Sequence, residues 1–266
     1  MTLRHHRLCD ETGTPMTTPV ITFALLGTLE VRHNDHVIPM TGKHQRSLLA
    51  ALLIHRNNPV PLGDLINELW PDGPPRCTPN ALHAQISRLR RTLPCGAETG
   101  IDLRAQYPGY LLDVPAQALD TFWFRYWLQR ANTTKSRDFD EALSCYRKAL
   151  DCWRGPPLHD IPPGRIRDSE VERLDRERIN ALAQMTEIEL ACGRYLDAIP
   201  RLERLIVEHP LEEHLYVQLM IALEHVGRPG DAIRVYQRAR QCLAVQLGLS
   251  PSAVLDHTMD RILQRG

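Results

Sequence analysis

The chain has 266 residues, which is more than a single domain of ordinary size needs, so its length predicts two domains. Its 32 basic side chains are matched by 32 acidic ones, so the chain as a whole has no electrostatic attraction to nucleic acid, to a membrane or to an acidic substrate. The seven cysteines include no CxxC pair, and the chain has no secretory signal, so we predict a cytoplasmic protein with reduced thiols. No apolar run reaches the roughly twenty residues that a membrane span needs, so we predict no membrane partner.

The first half of the chain mixes strand and helix signals. Residues 1–19 hold few large apolar groups and predict a mobile tail, whereas ITFALLGTLEVRHNDHVIPM alternates apolar and polar residues around a turn and predicts antiparallel strands. Helical spacing follows in GKHQRSLLAALLIHR, LGDLINELW and TPNALHAQISRLRRTL, and IDLRAQYPGYLLDVP predicts two strands across a Pro-Gly turn. A sheet, three helices and a hairpin in this order predict an α+β winged helix-turn-helix domain at residues 20–115.

The second half contains only helical patterns, beginning with the aromatic run at residues 122–127, and it repeats itself. GRYLDAI begins at Gly193 and GRPGDAI begins at Gly227, a separation of 34 residues, and DFDEALSCYRKAL from Asp138 is a weaker copy. This separation is the period of tetratricopeptide helix pairs, which bury their apolar stripes by stacking on each other. We therefore predict an all-α tetratricopeptide-like domain at residues 116–266, an architecture that binds other molecules more often than it catalyses.

The third helix of the first half has two chemically different faces. An apolar stripe at helical spacing is expected to pack on the two preceding helices; it consists of Leu82, Ile86, Leu89 and Leu93. The opposite face is polar or small, with His83 and Arg90 on its flanks; it consists of Asn80, Ala84, Ser87, Arg88 and Arg91. No Asp or Glu occurs between residues 76 and 93, so this helix is locally basic in a chain without net charge.

Two interpretations of this basic face are open. Arginines near the C-terminal end of a helix favour its dipole and keep it soluble without any further role. Alternatively, the helix is the recognition helix of the winged helix, where guanidinium binds guanine or phosphate, the Asn80 carboxamide suits adenine, and Ala84 contacts a thymine methyl. The position of the face on the third helix favours DNA recognition.

Taken together, the ordered segments of the chain resemble the Streptomyces antibiotic regulatory proteins from about Phe23 to Leu263. The resemblance is carried by LLGTLEVRHNDHVIPMTGKHQRSLLAALLIHRNNPV, LINELWPDGPP, SRLRRTL, PGYLLDVP, ALDCWRGPPL and YQRARQCLAVQLGLSPS. It implies an OmpR-like winged helix followed by a bacterial transcriptional activation domain. It further implies an activator of a secondary-metabolite gene cluster that binds direct repeats in double-stranded DNA as a side-by-side homodimer and recruits RNA polymerase holoenzyme through its sigma factor and neighbouring subunits.

The resemblance also assigns contact residues outside the third helix. At the start of the first long helix a basic stretch is implied to meet phosphate or polymerase; it consists of Lys43, Gln45 and Arg46. In the hairpin, a contact with the DNA backbone or the minor groove is implied for Arg104, Gln106 and Tyr107, although an ordinary solvated turn explains each of them equally well. The loop from Trp70 to Pro75 is expected to face outward beside polymerase, with Asp72 and Arg76 as contact candidates and Trp70 itself in the core.

No catalytic, metal or cofactor site is predicted, so we expect a protein that is not an enzyme. The chain has no HExxH motif, and Gly42-Lys43 fails as a phosphate-binding loop because residue 37 is Val and residue 44 is His. Two other functions are left open: a regulator whose helical array senses a small ligand, and a scaffold whose winged helix binds only protein.

Overall fold

The structure, a computed structural model, describes residues 20–34, 36–73 and 78–265, without the side chains of Thr78, Pro79 and Arg265. The predicted tail and Arg76 therefore lie outside the described residues. The chain divides into two compact units. The first unit extends to Leu128 and includes Lys148–Glu177, and the second consists of Gln129–Arg147 and the residues from Arg178 onward.

The elements follow the predicted order, with one short additional strand at Val60–Pro61. The first part of the chain contains β1 (Ile21–Ala24), β2 (Glu30–His33), β3 (His36–Ile38), α1 (Lys43–Ile54), β4 (Val60–Pro61), α2 (Leu62–Leu69), α3 (Thr78–Thr92), β5 (Asp102–Gln106) and β6 (Gly109–Asp113). Helices that contribute residues to both units are α4 (Asp120–Thr134), α5 (Phe139–Leu150) and α6 (Arg165–Ala191). The chain then continues through α7 (Tyr195–Glu208), α8 (Glu213–His225), α9 (Pro229–Leu247) and α10 (Ala253–Arg265).

The first unit begins with a three-stranded antiparallel sheet in the order β1-β2-β3, with Phe23 opposite Val31. Alternate residues of β1 are buried, as the alternation in the sequence predicts. Asn34 has a φ of 46°, in the left-handed region that Asn tolerates in a tight turn. The predicted strands are therefore confirmed.

The three predicted helices form the core of the winged helix, and the apolar stripe of α3 is buried as predicted. Its four side chains are at most 3% exposed, and they pack in one cluster with the buried residues of α1 and α2. Trp70 lies half-buried against the same cluster, with its ring 5.4 Å from that of His44. The predicted winged-helix fold is confirmed.

The predicted hairpin is part of a second sheet with the order β4-β6-β5. The sequence did not reveal β4, which is only two residues long and pairs Val60 with Tyr110 and Pro61 with Gly109. At Gly109 the two backbones are so close that a Cβ would lie 1.8 Å from the carbonyl oxygen of Val60. Glycine is required there by this close approach.

In the second unit, the repeat of the sequence is also a repeat of structure. Gly193 and Gly227 have φ values of 73° and 75°, and each ends a helix in the left-handed conformation that glycine favours. The following residues close the turn in the same way, since the Arg194 N–H donates to Glu189 O at 2.8 Å and the Arg228 N–H donates to Leu223 O at 2.9 Å. The tetratricopeptide-like fold is confirmed.

The compact units differ from the predicted domain limits, which stay a prediction. Lys148–Glu177 belongs to the first unit because its backbone bonds to the turn after β1. The Leu158 N–H donates to Gly27 O at 2.7 Å, and the Arg154 N–H donates to Leu26 O at 2.7 Å. Sequence periodicity identified helices in this region but gave no sign of these bonds. In the described part of the chain, no helix is long and apolar enough to cross a membrane.

Candidate nucleic-acid interface

The face of α3 opposite the core is exposed in the part of the chain that the structure describes. Six of the predicted contact residues are exposed: Asn80, His83, Ala84, Ser87, Arg88 and Arg91. They lie on one side because α3 is a regular helix of 15 residues whose other side is held by the buried stripe. The structure therefore brings these six predicted residues together on one surface, which we call the α3 face.

Arg88 and Arg91 provide the charge of the α3 face. Within residues 20–34, 36–73 and 78–265, neither guanidinium makes an ion pair, and that of Arg88 makes no hydrogen bond either. Arg91 has only a long contact from Nε to the carbonyl oxygen of Ser87, at 3.4 Å. A guanidinium with its five N–H donors unused can bind a phosphate or a guanine edge with two hydrogen bonds at once.

Arg90 is also exposed, but its guanidinium is used inside the winged helix. Its Nε donates to the carbonyl oxygen of Leu103 on β5 at 2.8 Å, and its Cζ lies 6.0 Å from the ring centroid of Tyr110 on β6. The ring of His83 meets the same tyrosine edge to face at 6.2 Å. Tyr110 thus connects α3 to the hairpin, and Arg90 has a structural role beside any contact with DNA.

In the hairpin of β5 and β6, two of the predicted wing residues are exposed at or beside the turn, and the third lies beside carboxylates. Tyr107, at the turn, is 96% exposed, and Gln106 beside it is exposed too. Arg104 lies between two carboxylates, with Nη1 2.8 Å from Asp102 and 3.5 Å from Asp113. The hydrogen bond to Asp102 raises the pKa of Arg104. The positive charge of Arg104 is therefore partly compensated within the hairpin.

The predicted contact residues at the start of α1 also differ in whether their side chains are exposed or used within the protein. Lys43 is exposed and Gln45 is half-buried. Arg46 forms an ion pair with Asp160 and donates to the carbonyl oxygen of Leu29 at 2.9 Å, and its burial lowers the pKa of the guanidinium. Among the described residues, Lys43 has no ion-pair partner, whereas the charge of Arg46 is used within the protein.

The loop after α2 is described as far as Gly73. Asp72 is exposed, whereas Arg76 lies outside the described residues. The prediction of polymerase contacts in this loop stays a prediction.

Sequence reasoning missed three acidic side chains that bind backbone N–H groups of the first unit. Asp120 accepts hydrogen bonds from the N–H groups of Leu25 and Leu26, and Asp160 accepts one from Leu29 at 3.0 Å. Glu68 is buried on α2 and accepts two hydrogen bonds at the start of α6. The only signal in the sequence is that Glu68 stands on the stripe of Leu65 and Leu69, where an apolar residue is expected.

The described residues include no group of three His, Cys, Asp or Glu side chains that could hold a metal ion. The expectation that the protein needs no metal or cofactor stays a prediction.

Both halves of the chain match known families. Residues 35–112 match the family described as "Transcriptional regulatory protein, C terminal", and residues 119–263 match the family described as "Bacterial transcriptional activator domain". The chain is 33% identical over 247 residues to the regulatory protein DnrI of Streptomyces peucetius, covering 90% of this chain and 91% of DnrI. It is 34% identical over 221 residues to the transcriptional regulator RedD of Streptomyces coelicolor, covering 82% of this chain and 63% of RedD.

Among solved structures, the chain is similar to Mycobacterium tuberculosis EmbR in complex with a low-affinity phosphopeptide, with a TM-score of 0.84 and 33% identity. The similarity covers 92% of this chain but only 65% of that EmbR chain. The two family matches adjoin each other, in the order of winged helix and helical array, and one relative is matched over nine tenths of both lengths. Together these findings identify the family. The chain belongs to the Streptomyces antibiotic regulatory protein family of transcriptional regulators.

Proposed function

We propose that the protein is a sequence-specific transcriptional activator of an antibiotic gene cluster and reads double-stranded DNA with the α3 face. The observation that carries the proposal is the pair of guanidinium groups of Arg88 and Arg91, which have no ion-pair partner among the described residues and lie opposite a fully buried stripe. Similarity to the regulators DnrI and RedD supports a role in transcription.

The α3 face has the chemistry that a major groove requires. Ala84 and Ser87 are small enough to let the helix approach the base edges closely, which brings the guanidinium of Arg88 within reach of guanine O6 and N7. Asn80 lies near the start of the helix and offers a carboxamide for adenine. Arg91, further along the same face, is the better phosphate contact because the ends of a recognition helix approach the backbone.

Contacts outside α3 would fix the protein on the duplex without reading bases. Tyr107 and Gln106 at the hairpin turn reach the backbone or the minor groove, and Lys43 meets a phosphate. Arg104 contributes less because Asp102 and Asp113 compensate its charge.

As the mechanism of activation we propose that two protomers bind adjacent direct repeats side by side. The helical array and the exposed loop at Asp72 then contact the sigma factor and neighbouring subunits of RNA polymerase. Such contacts raise the occupancy of a promoter that polymerase binds poorly by itself. The proposal includes no catalytic step.

The experiment is a footprint on the DNA upstream of the protein's own gene, comparing wild type with Arg88→Ala and Arg91→Ala, with and without polymerase. Arg147→Ala is the matched control because this exposed arginine of α5 lies outside the α3 face and its loss changes the net charge equally. Protection over direct repeats that is lost only in the two α3 variants, and extended by polymerase, supports the proposal.

Two other results would favour the alternatives. Absence of binding to any DNA at low salt would indicate a scaffold, because phosphate contacts alone give measurable binding under those conditions. A protected site that appears only when a small molecule is added would indicate a ligand-sensing regulator.

A further inference from the structure

A buried acid without a cationic partner lies at the end of α2. Glu68 is 5% exposed and stands between the buried Leu65 and Leu69 on the inner side of the helix. In the part of the chain that the structure describes, its carboxylate forms no ion pair; instead it accepts the N–H of Ile166 at 2.8 Å and the N–H of Arg167 at 2.9 Å. Both partners are backbone groups of α6, nearly one hundred residues further along the chain.

These two hydrogen bonds take the place of an ordinary helix cap. Helix α6 begins at Arg165, so Gly164 is its N-terminal flanking residue, and its carbonyl accepts the N–H of Asp168 at 2.8 Å. The side chain at this position usually accepts an N–H from the second or third helical residue, but glycine has no side chain. Glu68 supplies the missing acceptor to Ile166 and Arg167, and the positive end of the helix dipole further stabilises its charge.

Gly164 and Glu68 also fit each other sterically. A Cβ at Gly164 would lie 2.5 Å from Oε1 and 2.8 Å from Oε2 of Glu68, closer than such atoms approach. The carboxylate could move away only by giving up both backbone bonds in a buried position. The glycine therefore leaves the space that the remote cap needs.

The position of α2 follows from this cap. A buried carboxylate is tolerated only where its hydrogen bonds are made, so α2 cannot slide or rotate against the start of α6 without a large loss of stability. A second contact between α2 and α6, the ion pair of Asp64 with Arg165 at 2.7 Å, is exposed to solvent and adds little to stability. Helix α2 in turn packs on α1 and α3 and ends just before the loop that leads into α3.

We infer that Glu68 is a positioning residue for DNA recognition: by capping α6 it holds α2, and through α2 it sets the α3 face on the duplex. This inference rests on the proposed function, because it assumes that α3 reads DNA. The start of α6 lies within the activator-domain match, yet it belongs to the first unit and helps to position the helix that reads DNA.

The test compares Glu68→Ala, Glu68→Gln and Gly164→Ala in the full chain. Gly164→Ala displaces the carboxylate from the other side of the contact while leaving its charge in place. Gly63→Ala is the matched control, since this glycine is on the same helix α2 and a Cβ there has no atom within 4 Å. The probe is a duplex selected by the wild-type protein from random-sequence DNA, with a shuffled duplex as the non-specific reference.

Three quantities are measured for each variant: the thermal midpoint, the affinity for both duplexes, and the slope of log affinity against log salt. All binding is measured at a temperature at which every compared variant is folded. We expect Glu68→Ala and Gly164→Ala to bind the selected duplex at least about tenfold more weakly, with a shallower salt slope because fewer phosphates are met. Glu68→Gln, which keeps one acceptor oxygen, should lie between them and wild type, and Gly63→Ala should match wild type.

A purely structural role would lower the thermal midpoint without changing the salt slope or the preference for the selected duplex in folded protein. That outcome, in either Gly164→Ala or a Glu68 variant, would overturn the inference. Arg88→Ala is measured beside them: if it too binds like wild type, the proposed function fails, whereas loss of binding in Arg88→Ala alone rejects only the role of Glu68.

Discussion

Two neighbouring arginines on α3 are expected to affect different properties of the protein when they are replaced by alanine. The guanidinium of Arg90 holds the carbonyl oxygen of Leu103 at 2.8 Å and lies over Tyr110, whereas that of Arg88 has no partner in the described chain. Arg90→Ala should therefore lower stability, and Arg88→Ala should lower DNA affinity.

The size of each effect follows from these contacts. A hydrogen bond from a charged donor contributes about 1.5 to 3 kcal/mol when buried, and about 1 kcal/mol is appropriate for the exposed Arg90. The ring contact, at 6.0 Å, adds about 0.5 kcal/mol, so the unfolding midpoint should fall by about 3 to 6 °C. Arg88→Ala should stay within about 0.5 kcal/mol of wild-type stability and lose about 1 to 3 kcal/mol of affinity for the preferred duplex.

Thermal unfolding followed by circular dichroism gives the first quantity, and fluorescence anisotropy with a labelled duplex gives the second. The salt slope of Arg91→Ala, the proposed phosphate contact, should also decrease by about 0.9 for each phosphate contact that is lost. If Arg90→Ala kept the wild-type midpoint, or lost as much affinity as Arg88→Ala while fully folded, then the division of roles between Arg90 and Arg88 would be wrong.

Three further predictions concern the first unit. Gly109→Ala should cost more than about 3 kcal/mol of stability because its Cβ would strike the carbonyl oxygen of Val60 1.8 Å away, whereas Gly63→Ala should be neutral or stabilising by up to about 1 kcal/mol in denaturant unfolding. Burial raises the pKa of Asp120 from 3.8 to about 6, so the folded chain keeps a proton there that the unfolded chain has released. The stabilisation by this bound proton is complete below about pH 4 and is lost as the pH rises through about 6. Relative to Asp120→Asn, the wild-type free energy of unfolding should therefore fall by about 1 to 3 kcal/mol over this window. Parallel curves of unfolding free energy against pH for the two proteins would contradict the assignment. A chain truncated after Val114 should melt below the full protein in calorimetry, because the later segment that bonds to the turn after β1 is missing, and an unchanged midpoint would show that these bonds contribute nothing.

Much of the fold could be predicted because its signals are local. The stripe of Leu82, Ile86, Leu89 and Leu93 follows the 3.6-residue period of a helix, and all four side chains are buried as that period requires. The glycines at 193 and 227 mark two identical helix ends because only glycine adopts their left-handed conformation without strain. Strand β4 escaped prediction because two residues are too few to show a period of two.

The candidate site was predicted as a helix face but not in its details. Spacing along α3 placed Arg88 and Arg91 correctly on the exposed side. It could not separate them from Arg90, whose partner on β5 is thirteen residues away in the chain. In the same way, the basic composition at the start of α1 did not reveal that Arg46 pairs with Asp160.

The sequence by itself determined the order of the elements apart from β4, the buried side of α3, the repeat and the family, since all of these depend on local patterns along the chain. Only the tertiary structure decided which charged groups are available to a partner and which hold the protein together. Glu68, Asp120 and Asp160 each bind backbone N–H groups that lie 98, 95 and 131 residues away in the chain. The physical reason is that a charged side chain is stabilised by the hydrogen-bond donors and opposite charges that lie nearest in space, and the folded chain brings together residues that no local pattern connects.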